Sequence, residues 1–148
     1  MKPLRVHGLP LHPMLVHFPV AAWTVATGLA VLAPLELAVD IPRFAVYANA
    51  FGIVTGALAM LAGLLELAAL PAERNLRDTV ARHFALAGSA WLTYCLMWVL
   101  QMKALLLPAA ATAIAGFILL AAAGHAGARV VYCHGFPRRG FPHQPDHQ

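Results

Sequence analysis

Residues 11–35, LHPMLVHFPVAAWTVATGLAVLAPL, decide the fold. Two histidines and two prolines open a run that carries no Asp, Glu, Lys or Arg until Glu36. A helix rises about 1.5 Å per residue, so a run of roughly 20 apolar residues spans the hydrocarbon of a bilayer. The stretch is therefore predicted to be a membrane helix from about Pro13 to Leu35. Pro13 is tolerated in the first turn, and Pro34, Glu36 and Asp40 mark the exit. Pro19 lies inside the run and predicts a kink, because its ring removes one backbone donor.

The rest of the chain repeats this pattern. It has 148 residues, 61% hydrophobic and 11% charged, with a mean hydropathy of +0.72, whereas soluble domains average about 25% charged residues. Further spans are expected at about 44–70, 77–101 and 104–133. The fold class is thus an all-α integral membrane four-helix bundle over residues 1–135, and the polar, proline-rich residues 136–148 read as a mobile tail. A cleaved signal peptide is disfavoured, because the first run is long, follows several prolines and lacks a small-x-small cleavage site. Cys95 and Cys133 fall at different depths and read as small packing residues rather than a disulfide pair. No internal repeat is evident in the sequence.

Four spans put both termini on one side. The ten basic residues divide unevenly. Lys2, Arg5, Arg74, Arg77, Arg82, Arg129, Arg138 and Arg139 share that side, and Arg43 and Lys103 lie on the other. The positive-inside rule then makes the termini cytoplasmic in a bacterial inner membrane. Because the excess charge of +4 sits in the gaps between apolar runs, it orients the chain in lipid and argues against a nucleic-acid partner.

His12, His17, His83, His125 and His134 come from three spans yet all fall toward the cytoplasmic side. At 1.5 Å per residue, His17, His83 and His125 lie roughly 6 to 14 Å below one membrane surface. Ionisable groups at that depth are costly, so they are usually paired or functional. Phase at 100° per residue puts His17 on a face with Ala21, Thr24 and Gly28 while Trp23 points elsewhere. His83 joins Ala87, Tyr94, Trp98 and Gln101, and His125 joins Ala121, Arg129 and Tyr132. In the second span Asn49, Gly52, Gly56, Ala59, Gly63 and Glu66 form one stripe, which reads more readily as close helix packing than as cofactor contact. Read as exposed, the glycine stripe of this span would equally serve a homodimer. His12 reads as a cap at the membrane interface. His12 and His17 diverge too far around a regular helix to chelate one ion together.

Three short motifs, HPMLVHFP, ARHFAL and VVYCHG, together resemble a family of small bacterial four-helix membrane proteins known only as domain of unknown function 2231. The likeness runs from about Pro10 to Gly135. It implies that His12, His17, His83 and His134 hold recurrent histidine positions, that Glu66 stands where relatives carry an acid, and that His125 stands where relatives often have an aromatic residue. Relatives are sometimes joined to Rieske-type iron-sulfur domains, which implies electron transfer.

Two cofactor classes fit these residues. In a b-type cytochrome, facing helices supply two histidines to a haem iron. His17 with His83 is the first pair by depth, His125 and His134 are further candidates, and Arg82, Arg129 or Arg5 would pair the propionates. No CxxCH is present, so c-type attachment is excluded. The alternative is a porphyrin-free iron, zinc or copper site drawn from His12, His17, His83, His134 and Glu66. A quinone or a redox partner protein would be the electron-exchange partner in the haem reading, with Trp91, Tyr94 and Trp98 as candidate lining. A third reading is a noncatalytic subunit of a respiratory complex. Conduction is disfavoured by the apolar outer half. Nothing resembles a nucleophile triad or a phosphate loop, which argues against a hydrolase or kinase.

Overall fold

A computed structural model describes residues 5–6, 9–67 and 74–133. Short strands β1 (Arg5–Val6) and β2 (Leu9–Pro10) pair antiparallel, and the chain then enters the bundle. The first span is α1 (Leu11–Leu15) followed by α2 (His17–Leu32), closed by a 3-10 turn at Ala33–Leu35. α3 (Ile41–Leu67), α4 (Arg74–Met102) and α5 (Leu106–Tyr132) complete it. Four segments are long and apolar enough to cross a membrane, at the positions the sequence indicates to within a few residues. The end of the second predicted span, the tail at 136–148 and His134 lie outside the described residues.

The expected kink appears at Val16, between α1 and α2. Pro19 has no N–H to donate to the Leu15 carbonyl four residues back, so the ladder loosens there. The bonds from Val16 N to His12 O (3.1 Å) and from Val20 N to Val16 O (3.3 Å) carry the chain across the break as one span.

α2 packs along α3 and α4 along α5, and the two hairpins close into a four-helix ring through α2 against α5 and α3 against α4. Side-chain size is distributed as lipid requires. Ala26, Ala30, Ala45, Ala59, Ala62, Ala109, Ala113, Ala123 and Ala126 are buried, whereas Val54, Leu58, Leu61, Leu92, Leu107 and Ile118 point outward. Small residues let backbones approach, and large apolar ones meet the acyl chains. Outward hydroxyls are satisfied within their own helices: Thr24, Thr55, Thr93 and Thr112 each donate to the carbonyl four residues back, at 2.7 to 2.8 Å, as a medium without water demands.

The core is built on Trp23, stacked on Tyr94 at 4.5 Å between ring centroids and 3° between planes. Gly52 and Gly56 make room for the indole, since a Cβ on them would stand 2.5 Å and 2.7 Å from its atoms. The glycine stripe of α3 is therefore buried inside the bundle and is not a surface for a second copy. Around the stack, Tyr94 and Thr27 share a hydrogen bond between hydroxyls (2.8 Å), Trp91 donates to Ile53 O (3.0 Å), and buried Asn49 donates to Tyr94 O and Gln101 Oε1.

The structure also contains a repeat. Trp23 follows His12 at the same spacing as Tyr94 follows His83, and the members of each pair meet each other at the bundle centre. On α3 the residues Ala45, Asn49, Gly52, Ala59, Ala62 and Gly63 match Ala109, Ala113, Gly116, Ala123, Ala126 and Gly127 of α5 at constant spacing. Gly52 receives Trp23, and Gly116 receives Tyr94. The two hairpins are two versions of one design about an approximate twofold axis along the bundle, a parallel arrangement known among membrane proteins.

Candidate functional site

The twofold axis carries two imidazoles. His12, from α1, presents its Nδ1–H to the Ala59 carbonyl of α3 at 2.7 Å, and His83, from α4, presents its Nδ1–H to the Ala123 carbonyl of α5 at 2.9 Å. Only a protonated ring nitrogen can bond a carbonyl oxygen, so each Nδ1 carries a proton, and in the neutral ring Nε2 keeps its lone pair. Local sequence explains both contacts. In each case the glycine four residues after the accepting alanine, Gly63 or Gly127, lets the ring reach the helix backbone. A Cβ on either would stand 3.1 Å from Nδ1 of the imidazole.

The two rings lie 6.1 Å apart between centroids, at 79° to one another. Beside them is a cavity of about 250 Å³ lined by Val16, Val80, Phe84, Val130 and other mainly apolar groups, with Glu66 as the acid. Glu66 is half-buried, and its Oε1 accepts the backbone N–H of His12 at 3.0 Å. This bond caps α1 from the end of α3 and holds His12 in register. The cavity lies where α1 begins, α3 ends, α4 begins and α5 ends. Its exposed lining residues are Pro13, Leu67, Gly124 and Val131.

The residues singled out from sequence divide accordingly. His12, His83 and Glu66 come together. His17 does not join them: α2 turns Pro19, Trp23, Ala26 and Ala30 inward, so His17 shares its outward face with Ala21, Thr24 and Gly28. The pair His17 and His83 is replaced in space by His12 and His83. His125 likewise lies on an exposed face with Ala121, Arg129 and Tyr132. Arg82 and Arg129 line a separate groove with His125 and do not reach the two-histidine cavity. Of the candidate aromatic lining, Tyr94 is in the core, Trp91 is half-buried and Trp98 is exposed. Among the described residues no group of three or more His, Cys, Asp or Glu is placed to hold a metal ion by itself. Phe84, Gly63 and Gly127 were not marked by sequence as site residues in their own right. Their signal is the Ala-x-x-x-Gly spacing that recurs on α3 and α5.

A family model described as predicted membrane protein (DUF2231) matches residues 8–138. The chain belongs to this family. The match covers all four spans and both histidines of the cavity. No curated protein and no solved structure matches the chain.

Proposed function

We propose that this DUF2231 protein binds a b-type haem between His12 and His83 and acts in membrane electron transfer. The observation that carries the reading is the pair of imidazoles on the twofold axis. His12 and His83 face each other from α1 and α4 and would hold the haem iron through Nε2 of each ring. Their ring centroids lie 6.1 Å apart, which supports a ligand shared between them. The Nδ1–H bonds to Ala59 and Ala123 orient both rings, the usual support for a metal-ligating histidine. Apolar walls suit a porphyrin, and a low-dielectric surround tunes its potential. Haem iron supplies one-electron chemistry. The chain's own residues would hold the group through His12 and His83, with Val16, Phe84 and Val130 as apolar walls that exclude water and the cavity mouth left to a quinone or a redox partner.

A second reading rests on Glu66. Its carboxylate lines the same cavity and would balance the charge of an iron or zinc ion held by His12 and His83 without porphyrin, solvent completing the shell. In both readings the site lies on the cytoplasmic side of a bacterial inner membrane, where the excess of Arg and Lys belongs.

The test is a pyridine haemochrome assay and a dithionite-reduced minus oxidised spectrum of detergent-purified protein, with elemental analysis of the same sample, after expression with ample haem supply. A Soret band that shifts on reduction, with sharp α and β bands, supports the haem. A colourless protein refutes it, and iron or zinc in that sample then supports the ion.

A further inference from the structure

A second site lies on the outer surface of the α4–α5 hairpin, in a groove of about 590 Å³. Arg82 of α4 and His125 and Arg129 of α5 line it, with Asp78 at its outer end and Leu86 and Ala122 at its inner end. Arg82, His125 and Arg129 are exposed. Among the described residues none of the three side chains makes a hydrogen bond or ion pair. We propose that this groove binds an anionic phospholipid, its phosphodiester held by Arg82, His125 and Arg129 and its acyl chain lying inward along Leu86 and Ala122.

Depth, charge and the absence of an internal counterpart support this assignment. α4 enters the bundle as α5 leaves it, so Asp78 and Arg129 lie toward the membrane surface. Arg82 and His125 lie about one turn further in, and Leu86 about 6 Å below Arg82. This order, from charged to apolar, is that of a phospholipid read from headgroup to chain. A free phosphate would leave the apolar inner end unused. Two guanidiniums outweigh the single Asp78 carboxylate, and they present forked donors that suit phosphate oxygens. Basic pockets between helices at the membrane surface are a recurrent means of lipid selection. The internal repeat supplies the comparison. In the first hairpin the positions matching Arg82, His125 and Arg129 are Leu11, Leu61 and Leu65. The fold itself therefore does not require charge there, and the second hairpin alone carries it.

The experiment is native mass spectrometry of the full chain from mixed micelles holding equal amounts of phosphatidylglycerol and phosphatidylcholine. A basic residue near an anionic lipid is worth about fivefold in partition. The wild type is therefore expected to retain phosphatidylglycerol over phosphatidylcholine by an order of magnitude or more. Arg82→Ala with Arg129→Ala should erase the preference, whereas Arg43→Ala, at the opposite end of the bundle, should leave it. Asp78→Asn should increase it, an outcome that misfolding does not produce. Equal retention of the two lipids by the wild type, or an unchanged preference in the double variant, overturns the proposal. Displacement of phosphatidylglycerol by millimolar inorganic phosphate does so too, since it would make the site one for the free ion.

Discussion

Gly52→Ala tests whether the core is built as described. An alanine Cβ at this position would stand 2.5 Å from both Cδ1 and Nε1 of Trp23, well inside van der Waals contact. The indole cannot withdraw freely, because its other face is stacked on Tyr94 at 4.5 Å. Overpacking of a filled core costs about 1–3 kcal/mol, and disturbance of an aromatic pair costs a further 0.5–1.5 kcal/mol or so. Against this, alanine is favoured over glycine in a helix by about 1 kcal/mol. The net expectation is a loss of roughly 0.5–3.5 kcal/mol. Gly28→Ala is the control, since nothing lies within 4 Å of a Cβ there. It should be neutral or stabilising by up to about 1 kcal/mol. Gly116→Ala, whose Cβ would meet the edge of Tyr94 at 3.1 Å, should fall between the two. Unfolding in mixed micelles, by heat or by titration with denaturing detergent, gives the order. If Gly52→Ala is as stable as Gly28→Ala, the indole does not pack on this glycine and the account of the core fails.

Other predictions concern the two-histidine cavity. His17→Ala and His125→Ala should leave haem content and spectrum unchanged, because both imidazoles point away from it; loss of haem in either, measured by pyridine haemochrome, would return them to the ligand set. Gly127→Ala presses on the His83 ring at 3.1 Å and should weaken its bond to Ala123. Loss of such support to a ligating histidine costs about 10–100-fold in affinity, readable by haem titration of the apoprotein. Glu66→Gln keeps an acceptor for the His12 N–H but removes the carboxylate charge. It should retain haem and lose bound iron or zinc if the site is porphyrin-free, a contrast that elemental analysis reads directly.

The four spans were legible because apolar length alone specifies them, and the inward stripe of α3 was legible because glycine and alanine mark close approach. Helix rotation was harder to read. From sequence, depth and the cost of ionisable groups in lipid group His17 and His125 with His83, but both lie within a few turns of the membrane surface, where an imidazole can face outward. The inward face of α2 is instead marked by Trp23, Ala26 and Ala30. His12 reads as a cap from sequence, yet α1 is the continuation of the first span beyond the break set by Pro19, and this carries the ring to the bundle axis. The repeat is faint in the sequence because its matching residues are widely spaced small ones in a background of Leu, Val and Ala, and the contacts of His12 with His83 and Trp23 with Tyr94 reveal the correspondence.

The most direct test of the central claim is the reduced minus oxidised visible spectrum of His83→Gly, recorded with and without added imidazole beside the wild type. The account predicts that the variant loses the six-coordinate b-type spectrum and regains it when free imidazole fills the place of the missing ring. A wild-type spectrum in the variant without imidazole would show that His83 is not a ligand and would contradict the account.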